Sequence, residues 1–163
     1  MSAEDRQSAI ARALRGDFAD WRGLPEGTMP DDFAALSEGE GPSGQGRLAG
    51  IPVRFRDYEG YPGLFRVWLD DEGAAFLVWV DRPELDRDSA EVLAELGPPE
   101  AKLDNAPSRI AATVQWVWGD RGVTAYVGDD GAIKGFAFFV PAPVEYYESW
   151  LGGHESVPYR PYR

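Results

Sequence analysis

Apolar residues recur along this chain with two periods, and the alternation between those periods divides it into elements. Near the start Ile10, Leu14 and Phe18 fall at i, i+4 and i+8, with Trp21 three further on, which predicts a helix with one buried stripe capped by Ser2. Gly16 weakens it, so the pattern fits either one helix or two short ones broken near Asp17, before Gly23-Leu24-Pro25 ends the segment. Phe33 to Leu36 predicts a further helical turn, and the glycine-dense residues 37–50 predict a loop. Strand-like runs follow at Ile51–Phe55, Leu64–Leu69 and Ala75–Val80, the last two joined by the hairpin signal Asp70-Asp71-Glu72-Gly73. Asp88 then caps a helix, with Glu91 placed to close a capping box and Gly97-Pro98 to stop it. Arg109–Trp118, Val123–Val127 and Ala132–Val140 read as strands, with Gly128-Asp129-Asp130-Gly131 turning between the last two. Pro143 opens a helix through Val144, Tyr147 and Leu151, and Val157 to Arg163 reads as an extended, polyproline-like tail.

Two stretches look alike. Gly23-Leu24-Pro25-Glu26 matches Gly97-Pro98-Pro99-Glu100, and Trp68 to Ala74 matches Tyr126 to Ala132. In each, a proline follows the hairpin glycine by ten residues, at Pro83 and Pro141. The expected fold is therefore α+β: two similar helix-plus-antiparallel-sheet modules packed side by side with helices on one face. The modules span 1–83, with a Gly-rich insertion at 37–50, and 84–152, and residues 153–163 form the tail. A parity conflict accompanies this pairing, because Phe76 looks buried while its counterpart Lys134 belongs in water.

A helix ending Leu96-Gly97-Pro98-Pro99, followed by strands and a Tyr-x-x-Asp-Asp-Gly hairpin at Tyr126–Gly131, resembles the small module of bacterial outer-membrane-assembly lipoproteins. Two such modules in tandem resemble the secreted β-lactamase inhibitor proteins. That resemblance implies a non-catalytic protein gripping a partner through an aromatic-rich concave sheet.

Composition narrows the chemistry. The chain is 44% hydrophobic and 13% aromatic, enough for a packed core, and has no cysteine, which removes disulfides, thiolate metal sites and thiol nucleophiles together. No apolar leader follows Met1 and no run reaches the length of a membrane span, so the expectation is a cytoplasmic protein. The net charge of -12 repels phosphate backbones and anionic lipid, so neither nucleic acid nor membrane is an expected partner, and a basic protein is.

Gly39-Glu40-Gly41-Pro42-Ser43-Gly44 matches the dinucleotide pattern G-x-G-x-x-G, yet no strand precedes it and no helix follows, so it predicts no phosphate cradle. His154, the only histidine, follows Gly152-Gly153 with nothing to hold it for catalysis, and Ser43 lacks the strand-turn-helix setting of a nucleophile elbow. The acids at 70–72 and 129–130 have turn spacing rather than calcium-loop spacing. No enzyme, cofactor or metal is expected.

Aromatic residues carry the positive expectation. With Phe65, Val67 and Leu69 inward, alternation sends Leu64, Arg66 and Trp68 to the other face. With Phe76, Val78 and Val80 inward, Leu77, Trp79 and Asp81 turn outward, and Thr124 and Lys134 mark an open face shared by Tyr126, Phe136 and Phe138. Arg66, Trp68, Trp79, Tyr126, Phe136 and Phe138 are thus the candidate binding residues, with the composition of an interface hot spot. The expected function is a non-catalytic protein-binding module of inhibitor or immunity type. The alternative is a small-molecule-binding protein with an aromatic cleft between modules.

Overall fold

The structure, a computed structural model, describes residues 1–59, 65–104 and 113–151. Helix α1 spans Ala3–Leu14, with the Ser2 hydroxyl accepting the Asp5 N–H at 3.0 Å and Glu4 and Asp5 at the electropositive first turn. It ends before Gly16, whose φ of +89° takes the chain out of the helix. A short α2, Pro30–Ala34, starts on a proline, and α3, Ser89–Leu96, has its predicted box, the Glu91 carboxylate accepting the Asp88 N–H. After Pro143 come α4, Val144–Tyr146, and a wider π turn, Tyr147–Leu151.

Eight strands form a single antiparallel sheet in the order β1-β2-β3-β4-β8-β7-β6-β5. They are β1 Gly39–Leu48, β2 Ile51–Glu59, β3 Phe65–Leu69, β4 Ala75–Asp81, β5 Ala101–Asp104, β6 Val114–Trp118, β7 Val123–Val127 and β8 Ile133–Phe139. Consecutive hairpins build each run of four, and β4 joins β8 from Leu77↔Phe139 to Asp81↔Gly135. The architecture is α+β, an antiparallel sheet with helices packed on it.

The helices do not share one face. Ile10, Leu14, Phe33, Val92 and Leu96 from α1 to α3, joined by Phe18 and Trp21, pack on Val67, Val78, Val80, Val123 and Phe136. Tyr147 and Leu151 of the C-terminal segment pack on the opposite face, against Trp68, Leu77, Trp79, Tyr126 and Phe139. The expectation of helices on one face is corrected: both sides of the central strands are apolar, so each needs a cover.

The glycine-dense stretch is also corrected. Residues 39–48 are a strand rather than a loop. Its alternate residues Gly44, Gly46 and Leu48 lie on the aromatic face, and a Cβ on Gly46 would stand 2.7 Å from Cη2 of Trp68. Glycine is what lets the large rings of β2 and β3 lie across the edge strand.

The parity conflict resolves at two bulges. Trp68 pairs with Leu77 but Leu69 with Ala75, leaving Phe76 as an extra residue. Tyr126 pairs with Gly135 but Val127 with Ile133, leaving Lys134 extra in the same place. The turns agree too: the Gly73 N–H reaches the Asp70 carbonyl and the Gly131 N–H the Gly128 carbonyl, while the N–H groups of Asp70 and Gly128 reach the carbonyls of Ala74 and Ala132. Phe76 is therefore not inward, and each bulge shifts the later residues of its strand to the other parity.

Candidate functional site

The six sequence-predicted residues divide between the faces. Phe136 and Phe138 lie under the α-helices, their rings 5.3 and 6.1 Å from that of Phe18, with Phe138 also 5.1 Å from Trp21. Their assignment to an open face is corrected, because the bulge at Lys134 reverses the alternation that Lys134 was used to set.

Arg66, Trp68, Trp79 and Tyr126 share the other face as alternation requires, but that face is closed. Trp68 is 1% exposed, and Trp79 and Tyr126 are 3% exposed. The two indoles meet edge to face at 5.1 Å, and Tyr147 packs 4.8 Å from Phe139 beside them. An open aromatic sheet surface is thus corrected to a second core, sealed by Tyr147 and Leu151 and by Leu48 of β1.

Polar groups inside this second core are paired in two places. Arg66 forms a fork with Asp57, Nε to Oδ1 at 2.7 Å and Nη2 to Oδ2 at 3.0 Å, and its guanidinium lies 3.7 Å over the Phe55 ring. That cation is consumed internally. The Tyr147 hydroxyl donates to Oε1 of the buried Gln115. Burial is the chief cause pushing the Tyr147 phenol up to about 12, against the smaller opposing effect of the Thr124 and Tyr126 hydroxyls.

A cleft opens beside this core, where the β1–β2 hairpin projects past the turn between β3 and β4. Its volume is about 540 Å³. Ile51, Pro52, Val53 and Arg54 of β2 line it together with Phe76, Tyr146 and Trp150, and Gln45, Leu69, Asp70 and Asp71 complete the lining. The bulge in β4 is what aims Phe76 here, and the ring stands nearly parallel to that of Trp150, at 8° and 6.3 Å. Ile51 and Tyr146, both in its lining, are 52% and 51% exposed.

The acids of the cleft differ in freedom. Oδ1 of Asp70 accepts the N–H groups of Glu72 and Ala74, both at 2.9 Å, and the Asp70 carbonyl accepts Nη2 of Arg54 at 3.2 Å. That residue builds the turn. Asp71 is exposed, and its carboxylate meets no cation among the described residues. Periodicity missed this cleft because Phe76 reaches it only through a bulge and Trp150 only through the placement of the last helix.

The described residues contain no group of three His, Cys, Asp or Glu able to hold a metal, and no helix among them is long and apolar enough to cross a membrane. His154 and the Pro-Tyr-Arg tail lie outside the described residues, as do Leu64 and the first part of the predicted strand at Arg109–Trp118. The Gly39–Gly44 pattern lies within β1, so its glycines open no helix.

No family model matches the sequence, and no curated protein matches it. Among solved structures, a DUF4309 family protein from Bacillus subtilis is similar at 19% identity and a TM-score of 0.47, over 85% of this chain and 97% of that one.

Proposed function

We propose that this is a non-catalytic binding protein that holds a small molecule in the cleft between the β1–β2 hairpin and the C-terminal helix. The cleft carries the reading. Its volume of about 540 Å³ falls within the roughly 300–1,000 Å³ usual for small-molecule sites, and its lining sets the rings of Phe76, Tyr146 and Trp150 beside the polar Gln45, Arg54 and Asp71. The covering helix belongs to the second half of the chain and the hairpin to the first, which supports the reading of an aromatic ligand site between two modules. The matching turns and bulges support two similar modules at 1–83 and 84–152. A net charge of -12 supports leaving nucleic acid and membrane surfaces aside, in a cytoplasmic setting.

A second reading, recognition of a protein partner at the same place, is favoured by the exposed Ile51 and Tyr146 beside Trp150 and Arg54, a hot-spot composition at the mouth. Titrating neutral aromatic fragments such as indole and 2-naphthol into isotopically labelled protein tests the first. Amide shifts should cluster on residues 51–54, 70–76 and 146–150. Shifts confined to other surfaces, or none at millimolar fragment, would remove the cleft from consideration.

A further inference from the structure

We infer that the cleft selects an organic cation: a free, weakly hydrated ammonium or guanidinium compound with an alkyl or planar body. This rests on the cleft being a ligand site and adds the class of ligand. Three aromatic side chains, Phe76, Tyr146 and Trp150, line the same cleft as two aspartates, of which Asp70 has one carboxylate oxygen held by its turn and Asp71 is exposed. Aromatic faces attract a cation through the ring quadrupole, and a carboxylate supplies the opposite charge, so the pair is the recognition chemistry of alkylated ammonium heads.

The charge balance points the same way. The lining has two carboxylates against one guanidinium, Arg54, and part of that guanidinium is engaged by the Asp70 carbonyl. Asp71 keeps its carboxylate for an incoming group. The covering helix, Val144–Leu151, adds the exposed Glu145 and Glu148 and no cation. The whole chain, at -12, draws cations towards every opening.

The walls decide which cation. A compact primary ammonium holds its water strongly, and the aliphatic and aromatic part of the lining, such as Ile51, Val53, Leu69 and Phe76, gives it nothing in exchange for that shell. A methylated ammonium or a guanidinium gives up its water more readily and gains contact with the apolar lining. An anion meets the carboxylates first.

The test compares two molecules of the same shape, choline and the neutral 3,3-dimethylbutan-1-ol, by calorimetry and by amide shift mapping on the full chain. The expected result is that choline binds about fivefold or more tightly than the alcohol, with shifts at 70–76 and 146–150. Asp71→Asn, at an exposed residue outside the turn's hydrogen bonds, should weaken choline and leave the alcohol unchanged. Trp150→Leu should weaken both. Equal binding of the two molecules overturns the cation assignment while leaving the cleft as a ligand site. Failure of both, together with failure of indole and 2-naphthol, overturns the cleft itself. A peptide carrying several arginines that binds at the cleft more than about tenfold tighter than both choline and methylguanidinium, roughly 1.4 kcal/mol, overturns the free cation in favour of a basic protein partner.

Discussion

Gly46→Ala isolates the contact that makes β1 a strand. The added Cβ would stand 2.7 Å from Cη2 and 3.2 Å from Cζ3 of Trp68, and 3.6 Å from Cε2 of Phe55. Trp68 has nowhere to retreat, since its ring is packed edge to face by Phe55 at 5.4 Å and by Trp79 at 5.1 Å. Forcing one methyl into such a core costs about 1–3 kcal/mol. Alanine also restricts the unfolded chain, returning about 0.4–1 kcal/mol where the backbone accepts it. The net expected loss is about 1–2 kcal/mol. Gly39→Ala, in the same strand with no atom within 4 Å of its Cβ, keeps only the favourable term and should be neutral or slightly stabilising. Urea unfolding followed by far-UV circular dichroism measures both, and in Trp68→Phe, which shortens the ring, the cost of Gly46→Ala should largely vanish. A Gly46→Ala protein as stable as wild type, or one equally destabilised in the Trp68→Phe background, would refute the idea that ring clearance selects glycine here.

Three further outcomes follow from the second core. Trp79→Ala should cost about 3–5 kcal/mol, with little change in acrylamide quenching of the remaining tryptophans; a nearly unchanged melting temperature would mean the face is open after all. Asp57→Ala strands the mostly buried Arg66 guanidinium and should cost about 3–5 kcal/mol, with Arg66→Met restoring part of it, as read by thermal unfolding. For Tyr147 the phenol is raised to about 12 in the fold from an ordinary 10.0, so its neutral form stabilises fully below pH 10 and that contribution falls as pH rises towards 12. The loss amounts to about 3 kcal/mol. Tyr147→Phe should flatten this part of the alkaline stability profile, and identical profiles would rule the account out.

Local signals in the sequence were strong where chemistry is local. Ser2, the Asp88–Glu91 box and the Asp-Gly hairpin turns each satisfy backbone groups within a few residues, so α1, α3 and the β3–β4 and β7–β8 hairpins were legible. Faces are legible except at the bulge residues and in β8: beyond the β4 bulge Val78 and Val80 still turn to the α-helices and Leu77 and Trp79 to the other side. Phe65, Val67 and Leu69 turn to the α-helices as alternation predicts, while alternation counted from Lys134, the extra residue, puts Phe136 and Phe138 on the wrong side. Glycine density in β1 signalled a loop because its cause, the Trp68 ring lying across Gly46, is a contact between residues distant in sequence. Strand β5 is four residues with a single large apolar side chain, too short for a period to show. The stripe Val144, Tyr147 and Leu151 identified a helix, but nothing in its spacing says which side of the sheet it covers, and that choice closed the aromatic face and framed the cleft.

The seam between β4 and β8 has a consequence for how the chain reaches its native state. Every other strand pair joins strands adjacent in sequence, whereas Leu77 meets Phe139 across most of the second half of the chain. Closing so large a loop is entropically slow, so the seam forms after the hairpins that flank it. Until then β4, whose Leu77, Val78, Trp79 and Val80 are all buried in the finished sheet, shows a bare apolar edge. The same edge fits β8 of another molecule as well as its own, so refolding at high protein concentration is expected to raise the yield of dimer in size-exclusion chromatography over refolding at low concentration.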